Sequence, residues 1–198
     1  MDSAMAGLFR RNLSAGAWVI LFKFEMQRPP GPCFSPFDPE EPMKHPNLTH
    51  SHLVLVDDDV DACLLFERAL HKVDPLLPFT ALHSGEALLA EWPLLKAGIL
   101  FLDLTLPGKS GLECLAALRA DSRYERVPII VYSNSVRMTD ISKAYEKSAN
   151  LFIVKPFSQH HLVNALGHVL EMDWTQDCRD RYFINNQFVP FTAGSCLA

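Results

Sequence analysis

The chain predicts an α/β fold, a three-layer doubly wound sandwich with helices on both faces of a five-stranded parallel sheet. Three observations carry this expectation. Four short apolar runs lack alternation: Leu53-Val54-Leu55-Val56, Ile99-Leu100-Phe101-Leu102, Ile129-Ile130-Val131-Tyr132 and Leu151-Phe152-Ile153-Val154. Strands become such runs when helices cover both faces of their sheet. From His52 onward the runs alternate with segments of helical spacing, and right-handed crossovers then distribute the helices to both sides. Each run also stops at a polar residue: at Asp57-Asp58-Asp59, at Asp103, at Ser133 and at Lys155.

The elements follow in order. A strand over 53–57 leads into an amphipathic helix over 60–73, with Leu64, Leu65, Ala69 and Leu70 at helical spacing and Pro75 and Pro78 beyond its end. Residues 79–82 read as a second strand, and Ser84 is placed to cap a helix over 85–92. The third strand, 98–103, is followed by a Pro107-Gly108 loop and a helix over 111–120. Pro128 opens the fourth strand, residues 139–148 form the fourth helix, and 150–155 the fifth strand. Ser158 caps a last helix that reaches Met172.

The two ends read differently. Arg10 and Arg11 precede a short apolar segment, 13–22, which has a faint leader character but no small-residue cleavage site and too little length for a bilayer. Pro29, Pro30, Pro32, Pro36, Pro39, Pro42 and Pro46 exclude helix and central strand. Residues 1–50 are therefore expected to be a disordered extension or a mis-called leader, with Met43 as the natural start. Residues 51–172 form the folded domain. The tail, 173–198, is too short for a winged-helix or helix-turn-helix output domain.

With 48% hydrophobic and 21% charged residues over 198, the chain is globular. A net charge of -5 without any Lys/Arg stripe argues against nucleic-acid binding, and no segment argues for a membrane. Cys33, Cys63, Cys114, Cys178 and Cys196 are odd in number and lack C-x-x-C spacing, so neither a disulfide framework nor a zinc site is expected. A reducing, cytoplasmic location fits them.

Parallel strands present their carboxyl ends side by side, where open α/β sheets bind ligands. A carboxylate cluster, a lone Asp, a hydroxyl and an ammonium converge there. Asp103, alone at a buried strand end, is placed to attack phosphorus and form an acyl phosphate. Asp57 and Asp58 would repel both it and an incoming phosphoryl group unless a hard divalent cation lay among them. Magnesium, which takes oxygen ligands and typically one or two carboxylates plus substrate phosphate, is the expected cofactor. Lys155 supplies positive charge to the phosphoryl oxygens and Ser133 a hydroxyl donor.

These residues also form a family pattern: an acidic pair after the first strand (Asp57, Asp58), D-x-x-x-P-x-x-x-G from Asp103 through Pro107 to Gly111, Ser133 ending the fourth strand, and Lys155-Pro156 after the fifth. Residues 51–172 thus resemble a receiver domain of a two-component response regulator, of the CheY-like kind, here standing alone. The resemblance implies the flavodoxin-like strand order 2-1-3-4-5. It implies Asp103 as phosphoacceptor, with the ion bound by Asp58, Asp103 and the backbone carbonyl of Thr105, and with Asp57 acting mostly through water. It further implies a switch made of Ser133 and Phe152, and a Lys155–Pro156 peptide that is commonly cis. The donor would be a sensor histidine kinase or a histidine phosphotransfer protein, and the output a contact with a downstream protein. Phosphorylation and dephosphorylation would be self-catalysed, with no separate enzymatic turnover.

Rival readings are an Asp-nucleophile phosphohydrolase, a flavin or nucleotide binder, and a phosphorylation-independent interaction module. The phosphohydrolase usually has a second Asp two residues after the nucleophile, where this chain has Thr105. The nucleotide binder lacks a Gly-rich loop after the first strand. Asn134 stands where the family commonly has Ala or Gly, and Thr105 and Ser135 occupy positions that tune access of water. His50 with His52, exposed His160 and His161, and the Asn47-Leu48-Thr49 sequon carry no functional expectation.

Overall fold

Among the described residues, four of the five α-helices start where a side chain takes up their unpaired amides. Asp59 accepts from the amides of Asp61 and Ala62 to open α1 (Val60–Val73). Ser84 does so for α2 (Gly85–Glu91) and Ser158 for α5 (Gln159–Glu171). Ser110 and Glu113 form a reciprocal capping box on α3 (Gly111–Arg119). The exception, α4 (Met138–Glu146), follows Arg137 and has no side-chain cap.

This computed structural model describes residues 52–174 together with two short strands at 183–184 and 187–188. The expectations for residues 1–50, the sequon, His50, three of the cysteines and most of the tail fall outside the described residues.

Five strands, β1 (His52–Val56), β2 (Phe79–Leu82), β3 (Ala97–Leu102), β4 (Ile129–Ser133) and β5 (Leu151–Val154), make one parallel sheet in the order β2-β1-β3-β4-β5. That is the expected doubly wound order. Successive strand residues face opposite sides, so each run feeds two cores. Leu53, Leu55, Phe101 and Tyr132 pack with Phe66 of α1 and Leu166 of α5. Val54, Val56, Leu102, Val131 and Phe152 pack with Leu88 of α2, Leu115 of α3 and Ile141 of α4.

Three expected strands run one residue too far at their carboxyl ends, because Asp57, Asp103 and Lys155 leave the ladder just past its last pair. The helix expected over 85–92 stops at Glu91; Trp92 caps it and sets its ring edge-on to Tyr124 at 5.6 Å. The periodicity gave no hint of a 3-10 turn at Ser122–Tyr124 or of the antiparallel pair β6 (Phe183–Ile184) and β7 (Gln187–Phe188). Strands of two residues carry no period. β7 lies against α4, so this part of the tail returns to the domain. Among the described residues no peptide is cis, so Lys155–Pro156 is trans, the form X–Pro bonds favour by about 0.5–1 kcal/mol.

Candidate functional site

The sheet delivers its polar residues by continuing each ladder one hydrogen bond further. The Asp57 amide donates to Leu82 O at 3.0 Å, the Asp103 amide to Val56 O at 2.9 Å, and the Lys155 amide to Ser133 O at 2.9 Å. Their side chains therefore leave at the same rim. Because β1 and β3 are neighbours whose crossovers run in opposite directions, Asp57 and Asp103 flank the switch point of the sheet.

The segment after Asp103 explains the spacing of its motif. Gly108 has a φ of 70°, left-handed backbone that suits glycine, and Lys109 N then donates to Glu86 Oε1 at 2.9 Å. A methyl group on Gly111 would run into the carbonyl oxygen of Asp103, so only glycine lets α3 start this close to the nucleophile's own backbone. The Gly111 amide bonds Leu104 O at 3.1 Å and closes the loop.

Lys155 reaches from the edge strand β5 across the end of β4. Its Nζ donates to Asp57 Oδ2 and to Asp103 Oδ2, each at 2.6 Å, and lies 5.6 Å from the centre of the Tyr132 ring. Asp103 Oδ1 accepts from the Thr105 amide at 3.1 Å, so both oxygens of this carboxylate are oriented. Asp57 is 1% exposed, and burial pushes its carboxyl above the ordinary value despite the bonds from Lys155, with the charge of Asp103 adding to the rise. Burial alone would lower the Lys155 ammonium, but its bonds to Asp103 and Asp57 outweigh that and raise it.

Asp58, exposed, completes the group: one carboxylate oxygen each from Asp57, Asp58 and Asp103 lie within 4.8 Å of one another. Three carboxylates against one ammonium leave two negative charges. An all-oxygen donor set with that excess suits a hard divalent cation such as magnesium or manganese. The third consecutive aspartate does something else. Asp59 is spent on the α1 cap, and its own amide donates to Asp57 Oδ1 at 3.2 Å.

Ser133 is 1% exposed, and its Oγ accepts a long bond, 3.5 Å, from the Ser135 amide. The Ser135 hydroxyl donates to Asp140 Oδ2 at 2.5 Å, and Arg137 pairs with the same oxygen. No signal in the sequence marks Asp140. Phe152 lies wholly inside the core, where its amide donates to the Tyr145 hydroxyl at 3.1 Å.

A family model described as the response regulator receiver domain matches residues 53–167. The chain belongs to that family. Receiver domains are signalling modules of two-component systems, not turnover enzymes in themselves, and they interact with histidine kinases and phosphotransfer proteins. The chemotaxis protein CheY homolog of Campylobacter jejuni is 30% identical over 122 residues, 60% of this chain and 91% of that protein. Among solved structures, the phosphorylated cyanobacterial phytochrome response regulator RcpA has a TM-score of 0.58 at 25% identity, over 62% of this chain and 93% of that one. The Mn(2+)-bound response regulator Rcp1 has a TM-score of 0.55 at 23% identity, over 60% and 91%, which speaks for the fold.

Other polar residues of the receiver stay out of its acidic rim. His52 pairs with Thr80 Oγ1 at 2.8 Å, while His160 and His161 are exposed at the start of α5. The His83 Nδ1 contacts Asp57 O at 3.1 Å, which requires the proton on that nitrogen. Cys63 also lies behind Asp57, its thiol pushed up to about 11 by burial, which makes it an inert packing residue. No helix among the described residues is long and apolar enough to cross a membrane.

Proposed function

We propose that this receiver accepts a phosphoryl group on Asp103 from a phosphohistidine of a sensor kinase or phosphotransfer protein, and signals through protein contacts. The carrying observation is the Lys155 ammonium at 2.6 Å from both Asp57 and Asp103, with Asp58 beside them. In the step proposed, an Asp103 oxygen attacks phosphorus, the P–N bond to the donor imidazole breaks, and an acyl phosphate remains on Asp103 while the imidazole leaves with its electron pair. Lys155 must release part of its hold on Asp103 for this, and its charge then faces the phosphoryl oxygens. Ser133, whose Oγ accepts the Ser135 amide, turns its free hydroxyl proton to the same group.

Magnesium, held by Asp58 and Asp103 with the Thr105 carbonyl and with Asp57 behind them, would supply the positive charge that lets two anions meet. That the response regulator Rcp1 has a Mn(2+)-bound form supports a divalent ion in this reading. The partner's footing is apolar: Val60 and Leu64 are 56% and 46% exposed one turn apart on α1, and Phe157, two residues past Lys155, is fully exposed. The Gln159 amide reaches Leu65 O at 3.1 Å and ties α5 to that helix face. Thr105 is exposed and Ser135 half-buried at the two positions that the resemblance ties to access of water to the acyl phosphate. Two buried reduced cysteines, Cys63 and Cys114, suit a cytoplasmic setting.

A hydrolase built on Asp103 would need a second acid two residues on, where Thr105 stands. A module indifferent to phosphorylation would have no use for two buried acids. The test is uptake from acetyl phosphate, with and without magnesium, by the parent and by Asp103→Asn. Uptake by the parent alone, and only with magnesium, supports the reading; uptake unaffected by either change removes Asp103 from its role.

A further inference from the structure

The β4–α4 loop is held by one carboxylate. Asp140 Oδ2, in the first turn of a helix that lacks a side-chain cap, accepts the Ser135 hydroxyl at 2.5 Å and the Arg137 Nε at 3.0 Å. Ser135 Oγ in turn accepts from the Arg137 amide at 3.3 Å, so Ser135 is fastened at both its proton and its lone pair. The residue so fastened presents the amide that holds the Ser133 hydroxyl. That bond is long at 3.5 Å and weak alone, so its persistence depends on where Ser135 sits.

We infer that Asp140 is a positioning residue which, through Ser135, holds the Ser133 hydroxyl on the β4–α4 loop until a phosphoryl group is present. The inference rests on the reading of Asp103 as phosphoacceptor. With the clasp closed, the Ser135 amide stays where Ser133 meets it. With the clasp open, the loop loses its tie to α4, the amide wanders, and the Ser133 Oγ, no longer anchored as that amide's acceptor, is free to turn and point its proton at an incoming phosphoryl oxygen. The Asp140 carboxyl is held below the usual carboxylate range, chiefly by the Ser135 hydroxyl with Arg137 and Lys143 adding, so it is an ionised acceptor at neutral pH. Its side chain is 16% exposed and Arg137 is 77% exposed, so the clasp can be removed without opening the core.

The test uses the full chain with magnesium and acetyl phosphate. Asp140→Ala and Ser135→Ala are each expected to take up phosphoryl groups about fivefold faster than the parent, a modest coupling. The double variant should be no faster than either single one, since both break the same chain. Asp140→Asn, which keeps an acceptor oxygen for Ser135, should behave as the parent. In the absence of any phosphodonor, the Ser135 amide and Ser133 Cβ resonances should move in both alanine variants and stay in place in Asp140→Asn. Single variants at the parental rate, or effects that multiply in the double variant, overturn the inference. A parent that takes up nothing instead overturns the reading of Asp103, and a thermal melt of each variant separates either result from loss of fold.

Discussion

The Lys155 ammonium lies 2.6 Å from Asp103 Oδ2, joining the edge strand of the sheet to its centre. The same nitrogen holds Asp57, and the Lys155 side chain is 12% exposed. Removing one partner of a buried ion pair leaves the other charge uncompensated, at a cost of about 3–5 kcal/mol. Lys155→Met should lose about that much stability in urea unfolding, and added magnesium should restore part of it. An unchanged urea midpoint would show that the bridge contributes nothing.

The raised Asp57 carboxyl sets the direction of a pH effect. Its proton is held more tightly in the folded chain than at the ordinary carboxylate value of 3.8, so this group costs stability as pH rises through 3.8 to its folded value, and the cost persists above. Lys155 follows the same sign at the alkaline end: its contribution is complete below 10.5 and fades as pH rises through its higher folded value. A divalent ion binds the ionised carboxylates only. Magnesium should therefore raise the melting temperature at neutral pH, and the gain should shrink as pH falls toward the raised Asp57 value. Asp57→Asn should be more stable than the parent without metal and should lose most of the magnesium gain. A magnesium gain independent of pH in melts of the parent would contradict this.

Gly111→Ala tests the close approach of α3 to Asp103. The added methyl meets backbone atoms of Asp103 and Leu104, which yield less readily than side chains. Overpacking of this kind costs about 1–3 kcal/mol, and here it falls on the nucleophile's own peptide. Chemical unfolding should show the loss and acetyl phosphate uptake should slow with it. A variant matching the parent in both would mean that the loop absorbs the methyl group.

Phe152 is wholly buried, so truncation to Ala would open a cavity and blur the result. Phe152→Leu keeps most of the volume. If Phe152 reports the state of Ser133 to the surface, the leucine variant should take up phosphoryl groups as the parent does while the α4 and β5 amide resonances respond less to phosphorylation. Equal responses in the two proteins would reduce Phe152 to a core residue.

How much of this was legible in the sequence depends on range. The strands declared themselves because a sheet covered on both faces needs unbroken apolar runs, and their polar ends then fell at one rim. Asp57, Asp58, Asp103, Ser133 and Lys155 were all recoverable that way. What resisted was anything decided by a neighbour distant in sequence. Three consecutive aspartates look alike on paper, yet Asp59 caps α1 while Asp57 meets a lysine from the far edge of the sheet. Arg119 gave no signal either, although its guanidinium reaches Ser148 O, Tyr124 O, Val127 O and Asn150 Oδ1 at 2.6 to 3.0 Å and pins the loops before β4 and β5. Asp140 stayed unmarked because its role depends on a turn, not on a period or a motif.

The most direct measurement locates the transferred group. After incubation with acetyl phosphate and magnesium, borohydride reduction converts a phosphorylated aspartate to homoserine, which peptide mass spectrometry assigns to a position. Homoserine is expected at residue 103 and at no other aspartate, with none formed when magnesium is chelated. Homoserine at position 57 or 58, or at 103 regardless of magnesium, would contradict it.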